Sequence, residues 1–100
     1  YRVAADQGHA DAQSNLGSCF LRGEGVAKDP EQAVQWLRLA ADQGHADAQS
    51  NLGFCYLNGL GVAEDPEQAA RWYKRAAQQG HAAGKAGFRK ALEAIKLARS

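Results

Sequence analysis

Apolar residues recur at helical spacing in five stretches of this chain, so the pattern predicts an all-α fold. Ala33, Trp36, Leu37 and Ala40 lie three or four apart and give one dry side to a helix over about 30–43. A matching stripe predicts a helix over about 66–79. A second kind of stripe is Ala12, Leu16, Cys19 and Phe20, for a helix from His9 or Ala10 to about Leu21. Ala48, Leu52, Cys55 and Tyr56 repeat it over about 46–57. Phe88, Ala91, Leu92 and Ile95 form a last apolar face on a helix over about 81–99. Its other side carries Lys85, Arg89, Lys90, Glu93, Lys96 and Arg99, the wet face that a capping helix needs.

Helix ends are written as clearly as helix faces. Asp29-Pro30-Glu31-Gln32 and Asp65-Pro66-Glu67-Gln68 each offer an N-cap carboxylate and a proline at the first helical position. The glutamine three residues after each aspartate is placed to reach back in a capping box. Gly8, Gly44 and Gly80 stand where helices should stop. Gly23-Glu24-Gly25-Val26 and Gly59-Leu60-Gly61-Val62 read as hairpin loops, each valine plugging the hairpin end. Gly17 and Gly53 fall mid-helix, where glycine costs about 1 kcal/mol against alanine. Its recurrence predicts helices too close together for a Cβ.

These elements are copies. Residues 1–36 and 37–72 agree at 27 of 36 positions, and a third copy begins at Gly80-His81-Ala82. Self-similarity at this period means stacked supersecondary units sharing one core. The expected division is a partial repeat at 1–8, repeats at about 9–44 and 45–80, and the capping helix at about 81–99. The first copy lacks the upstream half of its leading helix, so the sequence reads as a piece of a longer array.

Composition narrows the class without naming a partner. No run of 18 apolar residues is present to form a membrane-spanning helix. Net charge is +1, yet residues 1–70 hold four basic and ten acidic side chains, while residues 71–100 hold eight basic and one acidic. The basic end could meet nucleic acid or another polyanion. No aromatic platform accompanies it, and a solvated helix face explains it as well. Cys19 and Cys55 hold the same place in successive units, roughly 8–10 Å apart if the units stack. A disulfide needs Cα atoms within about 7 Å. Two free, buried thiols are therefore expected. They tilt weakly toward a reducing compartment, and bacterial cytoplasm and periplasm both stay open.

The residues Ala12, Leu16, Gly17, Phe20, Gly23, Gly25, Val26, Asp29, Ala33, Trp36, Ala40, Ala41 and Gly44, repeated 36 positions later, form a pattern. It resembles the Sel-1-like repeat (SLR), a relative of the tetratricopeptide repeat. The resemblance covers roughly residues 4–81. It implies antiparallel helix pairs stacked into a right-handed α-solenoid, and work as an adaptor or scaffold for protein complexes. The final helix departs from the pattern, so no binding role carries over to it.

Related tetratricopeptide arrays line a concave groove with the first helix of each pair. Carried over, that places Asp11, Ser14, Asn15, Ser18, Leu21 and Arg22 in the groove, followed by Asp47, Ser50, Asn51, Phe54, Leu57 and Asn58. Asn15 and Asn51 lead, because an amide both donates and accepts and a ladder of amides can grip an extended backbone. Phe54 breaks the copying at Ser18 and is a candidate anchor. The expected partner is thus a protein or peptide.

Other chemistry finds little support. His9, His45 and His81 lie one layer apart, whereas zinc needs its ligands about 2.0–2.1 Å from one ion. Turn or N-cap roles suit them better. The Gly-x-Gly loops follow helices and lack the third glycine of phosphate-binding motifs. No Gly-x-Ser-x-Gly elbow or Ser-x-x-Lys is present. The cysteines lie on an inward stripe, away from any basic helix start. No enzyme, cofactor, metal or small-molecule substrate is implied. Two further readings remain: repeats that are purely structural or engineered, and self-association through an exposed N-terminal repeat face.

Overall fold

The computed structural model describes residues 2–99, with side chains from His9 onward. Five helices run in order: α1 Arg2–Arg22, α2 Pro30–Asp42, α3 Ala46–Asn58, α4 Pro66–Gln78 and α5 Ala82–Ala98. No strand occurs among the described residues. The helices pack as neighbouring pairs, α1 on α2, α2 on α3, α3 on α4 and α4 on α5. The result is a slab of 48 × 31 × 17 Å. This is the stacked α-helical array that the repeat predicts.

The caps explain why the helices start and stop where they do. Asp29 Oδ1 accepts from the Gln32 amide and Asp65 Oδ1 from the Gln68 amide, both at 3.2 Å. The reciprocal leg of the capping box has no orphan donor to satisfy. The Asp29 amide already donates to the Phe20 carbonyl and the Asp65 amide to the Tyr56 carbonyl, both at 2.8 Å. These bonds tie each helix start to the preceding helix end, which closes the hairpin.

The joint between units is shorter still. Gly44 adopts φ +89°. Its amide donates to the Ala41 carbonyl at 3.0 Å and the His45 amide to the Ala40 carbonyl at 3.2 Å, a Schellman closure. His45 is also the N-cap of α3, its Nδ1 accepting from the Ala48 amide at 3.2 Å. One residue therefore ends one helix and begins the next. Gly80 and His81 do the same for α4 and α5. The N-cap role expected for these two histidines is what they perform.

At Gly8 the expected turn does not form, and α1 runs through it to Arg2. The later turns hold because the new helix packs back on a full helix before it. Continuing α1 instead gives the intervening amides intrahelical partners. His9 consequently sits within α1, exposed, and caps nothing.

The core follows the predicted stripes with shifts of one residue. Ala33, Leu37, Ala40, Ala48, Leu52 and Cys55 are fully buried. Val34 and Ala41 join them, while Trp36 is only half-buried. Ala12 is exposed where its copy Ala48 is fully buried, and Cys19 is half-buried where Cys55 is buried. Both cysteines are free, but only the second is the buried thiol expected. Val62 packs on the first core cluster, whereas Val26 lies exposed in its loop. The differences between the two copies at Ala12, Cys19 and Val26 share one cause: among the described residues no layer precedes α1 and α2 to cover the first copy. On α5, Leu92 is exposed instead of packed, and Gly84, Gly87 and Ala91 form the buried face.

Close approach at the mid-helix glycines is real. A Cβ on Gly17 would stand 2.8 Å from Leu37 Cγ, and one on Gly53 would stand 3.0 Å from the Tyr73 ring. Tyr73 takes the place of Leu37 one unit later, and its larger ring is met from the other side by Gly87. Gly87 in turn stands where the preceding layer has Asn51. The bigger knob and the missing side chain are a matched pair.

Candidate functional site: a concave face built by alternate helices

The stack is asymmetric. α1 approaches α3, and α3 approaches α5, within 8 Å between Cα atoms, while α2 and α4 do not come that close. Helices α1, α3 and α5 therefore draw together on one side and α2 and α4 splay on the other. A slab so built is concave along α1, α3 and α5.

Two adjoining hollows lie on that side. The first, about 570 Å³, is lined by Ser14, Asn15, Ser18, Cys19, Arg22, Glu24, Asp47, Ser50, Asn51, His81 and Ala83. The second, about 370 Å³, is lined by Ser50, Asn51, Phe54, Leu57, Asn58, Tyr73, Ala83, Ala86, Gly87 and Lys90. Ser50, Asn51 and Ala83 border both, so the hollows form one continuous depression.

Most residues chosen from the sequence come together here. Asn15 is exposed, and Arg22 is exposed beside Glu24 at 3.9 Å. Ser14 and Ser50 are buried, at 3% and 6% exposure, so they form the floor and not the walls. Asn51 Nδ2 donates to Ser18 Oγ at 3.2 Å, linking α3 to α1 and leaving its carbonyl oxygen as the free end of the amide. Phe54 is 46% exposed, with its side chain on the rim. Asn58 Nδ2 is occupied by the Phe54 carbonyl at 3.0 Å. Leu57 lines the second hollow and Leu21 instead packs on the core.

Asp11 and Asp47 have structural work. Asp11 Oδ1 lies 2.6 Å from His45 Nε2, and Asp47 Oδ1 lies 2.5 Å from His81 Nε2. Each Nδ1 accepts a backbone N–H, so the neutral ring carries its proton on Nε2 and donates it to the aspartate. Each pair pins the start of one helix to the equivalent helix of the preceding unit. Gln43 Nε2 donates to Gln13 Oε1 at 2.6 Å and Gln79 Nε2 to Gln49 Oε1 at 2.9 Å, a second contact repeated every 36 residues.

The sequence reading missed the contribution of α5. Ala83, Ala86, Gly87 and Lys90 stand 36 residues after Asp47, Ser50, Asn51 and Phe54. That register was available, but loss of the repeat's residue types hid it. The third layer keeps these positions, replaces the three polar residues with small ones, and puts a lysine where the phenylalanine stood.

Two ionisable groups beneath the depression, Cys55 and Tyr73, are shifted away from reactivity. Burial pushes the Cys55 thiol up to about 11 from an ordinary 9.0. Burial, reinforced by Cys55, pushes the Tyr73 hydroxyl up to about 12 from 10.0. The unfolded chain gives up both protons at lower pH than the folded chain does. The stability that these two groups contribute is therefore fully present below pH about 9 and is lost as pH rises toward 12. Urea melts should show a loss on the order of 1–3 kcal/mol between pH 8 and pH 11.5, reduced in Cys55→Ala. A flat profile would contradict the burial of these groups.

The Sel1 repeat family model matches residues 10–45 and 46–81, two consecutive copies. The chain belongs to the Sel1 repeat family. Sel1 repeats, kin to tetratricopeptide repeats, are generally protein–protein interaction modules, and the proteins built from them are typically non-enzymatic scaffolds. Among solved structures, the chain is similar to a Sel1 repeat protein from Oxalobacter formigenes, with 42% identity over 78% of this chain and a TM-score of 0.74. It is similar to c5321, a protective antigen of uropathogenic Escherichia coli displaying an SLR fold, with 43% identity over 81% of this chain and a TM-score of 0.75. It also matches Helicobacter pylori cysteine rich protein B at 25% identity over 77% of this chain, with a TM-score of 0.71. The match spans 31%, 17% and 58% of those chains respectively. Among curated proteins no sequence matches this one.

Proposed function

We propose that this Sel1 repeat chain holds an extended segment of a partner protein in the depression along α1, α3 and α5. The observation that carries the reading is the pair Asn15 and Asn51, one repeat apart on the concave side. Asn15 is exposed, and Asn51 is held by Ser18 with its carbonyl oxygen left over. Spaced amides suit an extended main chain, whose own N–H and C=O groups need partners at regular intervals. Phe54, half-exposed beside them, supplies apolar contact.

The test begins with twelve-residue peptides selected from a displayed random library on the whole chain. The double variant Asn51→Ala/Phe54→Ala should lose their binding. It should keep its fold, because Phe54 is exposed and the Asn51–Ser18 bond contributes only about 0.5–1.5 kcal/mol. Unchanged affinity for every selected peptide would remove the groove from the account.

A further inference from the structure

The groove changes character along its length. In the first two layers the inner positions are polar, with Ser14 and Asn15, then Ser50 and Asn51. In the third they are Ala86 and Gly87. The Tyr73 ring fills the place where a side chain at position 87 would begin, and with Ala83, Ala86 and Gly87 it lines a notch free of amides on the α5 side. Phe54 and Leu57 wall the notch on the α3 side. Its volume, about 370 Å³, lies at the low end of the range for small-ligand pockets, about 300–1,000 Å³. It opens directly onto the amides of the polar half, so what fills it would be part of the chain that those amides hold.

Lys90 stands at the rim, in the place Phe54 has one layer earlier. It is exposed and makes no ion pair among the described residues. It belongs to the stretch 71–100 with eight basic side chains and one acidic. An unpaired ammonium beside an apolar notch selects a group that is apolar at one point and anionic at the next.

We propose that the notch between α3 and α5 is a specificity pocket taking one apolar side chain of a bound peptide, with an Asp or Glu of that peptide placed on Lys90. This rests on the groove reading above. The small-residue surface of Ala83, Ala86 and Gly87 gives the side chain its space, the exposed Phe54 gives it an aromatic neighbour, and the lysine sets which residue may follow.

The displayed-library selection also decides this. The enriched peptides should share an apolar residue with Asp or Glu within two positions. Ala86→Trp fills the notch and Lys90→Glu reverses the charge. Both sites are exposed, so the fold is kept, and thermal melts verify it. Each variant should weaken binding at least about tenfold. A peptide with Lys in place of its acid should regain affinity on Lys90→Glu. Peptides that depend on Asn51 and Phe54, yet share no such pair and bind both new variants normally, would overturn the pocket and leave the groove. Peptides indifferent to all these variants, or no binders at all, would overturn the groove and the pocket with it.

Discussion

Gly87→Ala should destabilise the chain by about 2 kcal/mol, lowering its melting temperature by roughly 8–16 °C. Glycine to alanine inside a helix ordinarily stabilises by about 1 kcal/mol. Here the new Cβ would collide with the Tyr73 ring, which Gly53 already bounds on the opposite side. Tyr73 is only 4% exposed and has nowhere to go. The cycle with Tyr73→Leu makes the argument specific. Leucine is what the preceding unit carries there, facing a layer that has Asn51 in place of glycine. With Tyr73→Leu in place, Gly87→Ala should cost nothing or become mildly stabilising. Calorimetric melts of the four variants measure the coupling, and equal effects of Gly87→Ala in both backgrounds would contradict the matched pair.

The second large effect is expected in a loop. Gly25 and Gly61 occupy the same place in successive units, with φ +76° and +72°. By conformation alone, alanine should cost about 1–2 kcal/mol at either site. Their surroundings differ: a Cβ on Gly25 meets nothing within 4 Å, whereas one on Gly61 would run into the Pro30 backbone at the start of α2. Backbone at a capped helix start cannot step aside as a side-chain tip could. Gly61→Ala should therefore cost at least about 3 kcal/mol, a drop of roughly 12–24 °C, against about 4–16 °C for Gly25→Ala. The difference between two chemically identical substitutions reports how one unit docks on the next. Equal losses would mean that the second loop does not touch the first unit's helix.

Much of this fold was legible because the chain states it twice. Asp29 with Pro30, and Asp65 with Pro66, fixed two helix starts, and Gly44 and Gly80 fixed two ends, since these residues act through local backbone chemistry. Gly17 and Gly53 announced the close helix contacts. What pattern could not show was context. Gly8 has the same local sequence as Gly44, yet the helix runs through it. Ala12 and Ala48 are identical residues with opposite burial, for want of a covering layer. Asp47 does line the hollow, but it and Asp11 each also bind a histidine 34 residues on, a contact that the pattern did not show. The part played by α5 in the groove was hidden by substitution: position 87 keeps the register of Asn51 while losing everything that made Asn51 recognisable.

The claim on which the function rests is that α1, α3 and α5 share one inner face and that a partner lies along it. Paramagnetic broadening by a spin-labelled peptide from the library selection tests it directly. The account predicts loss of amide signal at Asn15, Asn51, Ala83 and Gly87, with Arg38 on α2 and Lys74 on α4 untouched. Broadening centred on α2 and α4, with the inner helices silent, would contradict it.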